Sequence, residues 1–235
     1  KAERLNAFFW SGLAAAAANA GVVLVFRLAD PNADSFGMAT LLVASLINGG
    51  LSAAVTLLGF FALGNIFDIT TSLQLIELAR PNHPLLQFML RQAPGTYQHS
   101  LQIANLAEQA AERIGANAMR VRVGALFHDV GKSLHPEYFV ENQIDDINLH
   151  VNLTPEDSAH KIIQHIPDGL KMAAKHRLPG VIRAAIAEHH GTNMTMFQYQ
   201  LALKATVADD TQVDKSKFRY PGTKPQSKEP ALLML

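Results

Sequence analysis

Five histidines and one aspartate have the types and spacing to hold metal: His99, the adjacent His128 and Asp129, His165, and the adjacent His189 and His190. His165 lies 37 residues beyond His128, and His189 lies 24 beyond His165. One buried histidine alone is more often a satisfied core residue than a ligand. Several converging ones need a common partner, because a buried polar group without one is costly. A metal cluster supplies that partner. Imidazole and carboxylate without thiolate suit iron, manganese, zinc or cobalt. The chain has no cysteine, which excludes disulfides, thiolate sites and cysteine nucleophiles. Asp129 has two oxygens and can bridge two metals, which accounts for a histidine and an aspartate side by side. Lys132 follows the pair and could bind phosphate as a point charge, or be a solvated surface lysine.

Helices must carry these groups, since from Pro94 onward the apolar period is helical and no alternating pattern persists. Thr96 is the expected cap of a helix ending at Gly115, with His99, Ile103, Leu106, Ala110 and Ile114 on its inward stripe. A second helix starts at Asn117 and aligns Val121, Ala125 and His128, after which Gly131 frees the backbone to turn. "NLTPEDSAHKIIQHIPDG" opens with Thr154 as cap, Pro155 at the first position and Asp157 closing a box. That helix places His165 near its end and is expected to stop at Pro167 to Gly169. The last clear helix runs from Pro179 to "AEHHG", with Gly191 as its stop. His83 reads as a surface histidine, and His150, His160 and His176 as solvent-facing. Glu141, Asn142 and Gln143 read as capping or packing residues, with a place in the pocket wall as the alternative. Glu188 could orient a neighbouring histidine or sit on the surface.

The other end of the chain has a different character. Nine of ten histidines lie between His99 and His190, whereas residues 5–26 and 35–67 carry no charge. Each stretch exceeds the ~20 apolar residues that span a bilayer as helix, and a pair of buried helices in a soluble protein is the alternative. "RLADPNADS" between them, with Pro31, reads as a turn. Gly and Ala on both helices suit close packing in a larger bundle. Lys1 and Arg4 precede the first span, Arg80 and Arg91 follow the second, and only Arg27 edges the loop, so the positive-inside rule puts everything after residue 68 in the cytoplasm. The abrupt start at Lys1 suggests the tail of a larger membrane domain. Formal net charge is zero over 235 residues, so nothing points to a nucleic-acid polymer as partner.

The constellation resembles the HD phosphohydrolase superfamily, all-helical metal-dependent enzymes that cut phosphate esters. "LLQFMLRQAPGTYQHSLQIANLAEQAAERIGAN", "HDVGK", "PEYFVENQ", "EHHGT" and "FRYPGTKPQSKEPALLML" are similar to the cytoplasmic domain of the seven-transmembrane HD family. The resemblance covers roughly residues 60–235 and implies an all-α chain: two transmembrane helices (1–68), a helical junction (69–95) and an HD domain (96–235). It implies a hydrolase of cyclic di-AMP to linear pApA, in the bacterial cytoplasmic membrane and facing the cytoplasm, with a homodimer compatible. His99, His128 and Asp129 would hold one divalent metal, manganese or iron, and His165, His189 and His190 the other, with Asp129 bridging. Asp129 and Lys132 would serve catalysis. The family's remaining aspartate ligand would fall just past Leu235, so the chain is expected to be C-terminally truncated and to lack one ligand of the first metal. His135 stands where the family has Arg or Lys. A nucleotidase of other specificity and a non-catalytic nucleotide-sensing module are the competing expectations.

Overall fold

The computed structural model describes residues 2–30, 34–66, 70–143, 148–206 and 213–234. The turn expected at Pro31, the boundary at Asp68 and the last residue, Leu235, lie outside them. Among the described residues there is no strand, only an isolated bridge between Met194 and Arg219, and the remainder is helical or irregular. The chain divides into two compact units, residues 1–69 and 70–235.

The first unit is a helix pair, α1 (Ala2–Leu28) and α2 (Ser35–Ile66). At 1.5 Å per residue these are roughly 40 and 48 Å long. Both hold stretches long and apolar enough to cross a membrane, and those stretches are mostly unburied. The close approach is made by small residues. A side chain on Gly12 would meet Ala53 and the Gly49 carbonyl, and one on Gly49 would meet Ala16 and the Gly12 carbonyl. This crossed register makes the pair antiparallel. Near its loop, Arg27 reaches Asp34 at 3.5 Å and Asp30 at 3.6 Å.

The second unit begins with α3 (Ser72–Leu78), capped by Thr71, and α4 (Pro84–Gln92). The break between them is where the prolines predict it. His83 is not a free surface residue: it is half-buried, accepts the Leu85 N–H at 3.3 Å as the cap of α4, and sets its ring edge on Phe127. Leu75, Leu85, Leu86 and Met89 enter the same core as the helices that follow.

Those helices are α5 (Pro94–Arg113), α6 (Ala118–Phe127), α7 (Pro155–Ile163), α8 (His165–Lys175) and α9 (Gly180–Glu188). Short 3₁₀ turns lead from α6 to α7. Val121, Phe127, Ile182 and Ile186 are fully buried at the centre. Caps form as expected at Asn117, which accepts from Arg120, and at Thr154, which accepts from Asp157. Beyond the last helix legible in the sequence come α10 (Met196–Thr206), a 3₁₀ turn at Lys215–Phe218 and α11 (Lys228–Ala231). Phe218 anchors a smaller core with Ala159 and Ala202.

Helix α5 starts at Pro94, whose missing N–H costs nothing at a first position. Thr96 is therefore a fully buried residue of the first turn rather than its cap. The inward stripe of α5 is Tyr97, Ser100, Ala104, Ala107 and Ala111, while Leu106 is 66% exposed. Small residues face the core because α6 packs close, and the larger apolar residues sit to one side. Pro167 does not end a helix: the chain turns at Gln164, and Pro167 occupies the first turn of α8, where it lacks only an N–H that would have no helical acceptor.

Candidate metal centre

Three of the histidines sit at helix junctions and share one local construction. The His128 Nδ1 lies 2.7 Å from the Ala125 carbonyl, the His165 Nδ1 2.6 Å from that of Ile162, and the His189 Nδ1 3.0 Å from that of Ile186. In each case the partner is the carbonyl three residues back, one of the acceptors a helix end leaves unpaired. A carbonyl can only accept, so each Nδ1 carries the proton and each Nε2 of the neutral ring presents a lone pair. The helix ends thus orient three imidazoles and fix their tautomer before any ligand arrives.

All three Nε2 atoms point at Asp129, which is 2% exposed and opens the 3₁₀ turn Val130–Leu134. Its two oxygens face different groups. Oδ2 lies 3.2 Å from His128 Nε2, 3.9 Å from His99 Nε2 and 2.8 Å from Lys132 Nζ. Oδ1 lies 3.4 Å from His165 Nε2 and 3.5 Å from His189 Nε2, yet has no hydrogen-bond partner. The two Nε2 atoms of His165 and His189 are themselves only 3.3 Å apart. Lone pairs converging on one another and on an orphaned carboxylate oxygen repel unless a cation lies between them. The potential donor atoms of Asp129, His165, His189 and His190 lie within 4.8 Å of one another, as do those of His99, His128 and Asp129. This donor set fits a divalent metal, and Asp129 is common to both groups.

His99 comes from α5 and stands at the rim, with its side chain 43% exposed. His190 packs at 4.3 Å between ring centroids on His189 and at 4.2 Å, nearly parallel, on Tyr220. Lys132 bridges Asp129 and Glu141, the latter at 3.0 Å. Glu141 also accepts the Thr96 hydroxyl, while the Asn142 side chain accepts the Thr96 N–H, capping α5 from across the site. A cleft of about 430 Å³ opens over His99, His128, Asp129, Lys132, His189 and His190. Its opposite wall is apolar, built from Ile103, Leu106, Leu232 and Met234.

The charges follow from burial and proximity. Burial disfavours the Asp129 carboxylate, but His128 and Lys132 outweigh it and hold the carboxyl well below its usual range. Burial works against Lys132 as well, yet Asp129 and Glu141 raise its pKa, so it stays an ammonium. Burial pushes His165 down to about 4, with His189 adding to the effect and Asp129 opposing it. It pushes His190 down to about 3, helped by His189 and His165. His189 and His99 are lowered too, chiefly by burial, whereas at His128 the Asp129 charge overcomes burial and raises the pKa. Most of the cluster is therefore held in the neutral form that metal requires.

Every residue named from the sequence as a ligand, with Lys132, reaches this one site. Other side chains behave differently from expectation. Glu188 is buried and accepts the Gln226 N–H at 3.0 Å, fixing the loop after residue 218 instead of orienting a histidine. His150 does not face solvent, since its ring joins the Tyr138 carbonyl and the Ser158 hydroxyl, each at 2.8 Å. His160 and His176 are exposed, as expected. Gly131 has no unusual backbone angle; it is glycine because a side chain there would strike the His165 carbonyl and the Gly169 N–H. Tyr220 was not legible as part of the site, because nothing in "RYPGTKPQS" signals which ring it meets.

Comparison with known proteins identifies the family and the fold. The family model for the HD domain matches residues 96–234. The chain is 41% identical over 233 residues to a protein of Listeria monocytogenes named cyclic-di-AMP phosphodiesterase PgpH, covering 98% of this chain and 32% of that protein. A Bacillus subtilis protein of the same name is 41% identical over 226 residues, covering 95% of this chain and 31% of its own length. The chain thus spans about a third of the curated relatives it matches. The crystal structure of the L. monocytogenes PgpH HD domain in complex with cyclic-di-AMP superposes with a TM-score of 0.61 at 47% identity, over 66% of this chain and 71% of that one.

Proposed function

The chain belongs to the HD domain family, and from that premise we propose that it is a membrane-anchored phosphodiesterase that uses two divalent metals, manganese or iron, to hydrolyse cyclic di-AMP to linear pApA. One observation carries the reading: a single buried carboxylate turns one oxygen to His99 and His128 and the other to His165 and His189. That is the arrangement of a bridging ligand. His99, His128 and Asp129 would hold one metal, and Asp129, His165, His189 and His190 the other. The substrate class is supported by the relatives named cyclic-di-AMP phosphodiesterase, by the related HD domain in complex with cyclic-di-AMP, and by the cleft beside the cluster.

When bound, such metals lower the pKa of a coordinated water from 15.7 toward about 7 and neutralise charge on a phosphodiester. The protein's own groups do the rest. The helix-end carbonyls fix the tautomer and aim of three imidazoles, while burial disfavours the charged form of His165, His189 and His190. Lys132, held between Asp129 and Glu141 at the cleft wall, presents a fixed ammonium to a non-bridging phosphate oxygen. The paired helices α1 and α2 would anchor this unit to the bacterial cytoplasmic membrane as part of a multi-pass protein, with residues 70–235 on the cytoplasmic side.

The test is metal analysis followed by turnover with cyclic di-AMP, cyclic di-GMP and mononucleotides in manganese or iron. Two metal equivalents and preferential cleavage of cyclic di-AMP are expected. Preference for a mononucleotide would leave a metal hydrolase of another specificity. Nucleotide binding with no metal uptake would leave a sensing module.

A further inference from the structure

We propose that Tyr220 is a positioning residue for His190, delivered by residues 213–227, a strap buckled to the end of the helix that carries the second metal set; this inference rests on the dimetal reading above. The imidazoles of His128, His165 and His189 are each held by the carbonyl three residues back. Among the described residues no hydrogen bond holds the His190 ring. It is held by a face: the Tyr220 ring lies on it at 4.2 Å between centroids and 19° between planes, and turns an edge to His165 at 6.2 Å. Offset aromatic stacking restrains the tilt of a ring while leaving both of its nitrogens open to other partners. Because His190 lies one residue past the C-cap of α9, His189, its ring has no rigid helical turn of its own to settle on.

The strap is built to bring Tyr220 there. The Tyr220 N–H donates to the Asn193 carbonyl at 2.9 Å, and the Thr195 N–H to that of Phe218 at 2.8 Å. Arg219 donates to the Thr192 carbonyl at 2.6 Å, and Gln226 to buried Glu188 at 3.0 Å. Gly222 lies so close to the Ala187 and Gly191 carbonyls that a side chain there would strike both. Phe218 is fully buried in its own small core. With the Thr195 hydroxyl, which also donates to the Phe218 carbonyl at 3.2 Å, five hydrogen bonds and a close backbone contact thus fasten the strap to the segment that follows His190 and to the last turn of α9. A loop serving only as a connection would need none of this, and the ring it delivers, 8% exposed, meets two members of the cluster.

The experiment compares Tyr220→Phe, Tyr220→Leu and Tyr220→Met by Mn²⁺ titration against a chelator, and by heteronuclear NMR of histidine-labelled, metal-free protein. The Phe variant keeps the face and should match the parent in both. The Leu and Met variants should bind one of the two Mn²⁺ equivalents roughly 10- to 100-fold more weakly, the range for losing a group that orients a ligand. In both, the ring resonance that His190→Gln deletes should leave its ring-current-shifted position. Should the Leu variant not fold, the Met variant carries the comparison. Parent-like titration with an unmoved resonance overturns the proposal. So does a Phe variant as impaired as the others, or equal weakening of both equivalents with loss of the thermal transition. If the parent takes up no Mn²⁺, the dimetal reading fails, and the His190 resonance alone decides whether the stack positions the ring.

Discussion

Asp129 is the side chain on which both halves of the site depend, and substitutions around it should separate into two kinds. Asp129→Ala removes the oxygens facing both groups of histidines, so both metal equivalents should be lost, beyond the roughly 10- to 100-fold typical of an outer partner. His99→Ala removes a rim ligand of one group only, and one equivalent should remain. Metal analysis of the two variants, with circular dichroism to confirm folding, checks this; loss of a single equivalent from both would refute a shared carboxylate. Acid should act on the metal-free protein through the same residues. His165 and His190 are held near 4 and 3, against about 6.5 in an unfolded chain. Between those values the unfolded chain takes up protons that the folded one refuses, so stability falls as pH drops through that window. His189 is lowered and works in the same sense. His128 is raised, so its contribution is present below about 6.5 and lost as pH rises through its folded value, opposing the others. His99 is lowered as well, so four lowered rings of the cluster outweigh one raised ring, and the protein should be about 1–3 kcal/mol less stable at pH 5 than at pH 7. Guanidinium midpoints in chelator at the two pH values measure it, and a midpoint that does not fall at pH 5 would contradict the sign.

At the scale of the elements, the point of least tolerance is where the turn carrying Lys132 crosses the start of α8. Gly131 rests on the His165 carbonyl and the Gly169 N–H, with no room for a methyl group. Gly131→Ala should force the two apart, costing about 1–3 kcal/mol as overpacking does, and should weaken metal binding because His165 shifts relative to Asp129. Chemical denaturation alongside Mn²⁺ titration checks both effects, and unchanged binding at reduced stability would mean that the crossing supports the fold alone. This contact marks the limit of what the sequence reveals. Gly131 reads from the sequence as a free turn, because nothing local shows the backbone it crosses, whereas Asn117 and Thr154 were legible as caps because a cap is decided by residues within one turn. The six clustered residues were legible because their types have few other uses together. The core face of α5 was not, since Ser100, Ala104, Ala107 and Ala111 carry weak hydrophobic signals and are buried only because α6 comes close. Pro167 misled because proline marks either the end of one helix or the first turn of the next, and a one-residue kink at Gln164 decides between them. Tyr220 and the Glu188–Gln226 bond depend on pairing across 30 or more residues, which no local pattern encodes.

For the whole molecule, the question is which side of a membrane the cluster would occupy, because under the proposed function a cytoplasmic nucleotide must reach it. The helix pair is antiparallel, packed through Gly12 and Gly49, and leaves large side chains such as Val25, Leu46, Val55 and Leu58 exposed. In water that surface would be costly, at about 25 cal/mol for each Å² of apolar area, whereas in lipid it costs nothing. Basic residues flank the outer ends of the pair, at Lys1, Arg4, Arg80 and Arg91. The connecting end has Arg27, which is engaged by Asp30 and Asp34. By the positive-inside rule, we propose that the connecting loop lies outside and Thr70 onward inside. Because the chain contains no cysteine, single substitutions report topology without background. Asp30→Cys and Glu77→Cys both lie at exposed positions, one on the loop side and the other just past α2. A membrane-impermeant maleimide should label Asp30→Cys on intact spheroplasts and Glu77→Cys only after permeabilisation. The reverse pattern would put the histidine cluster outside, away from any cytoplasmic nucleotide, and labelling of both without permeabilisation would mean that the pair does not span at all.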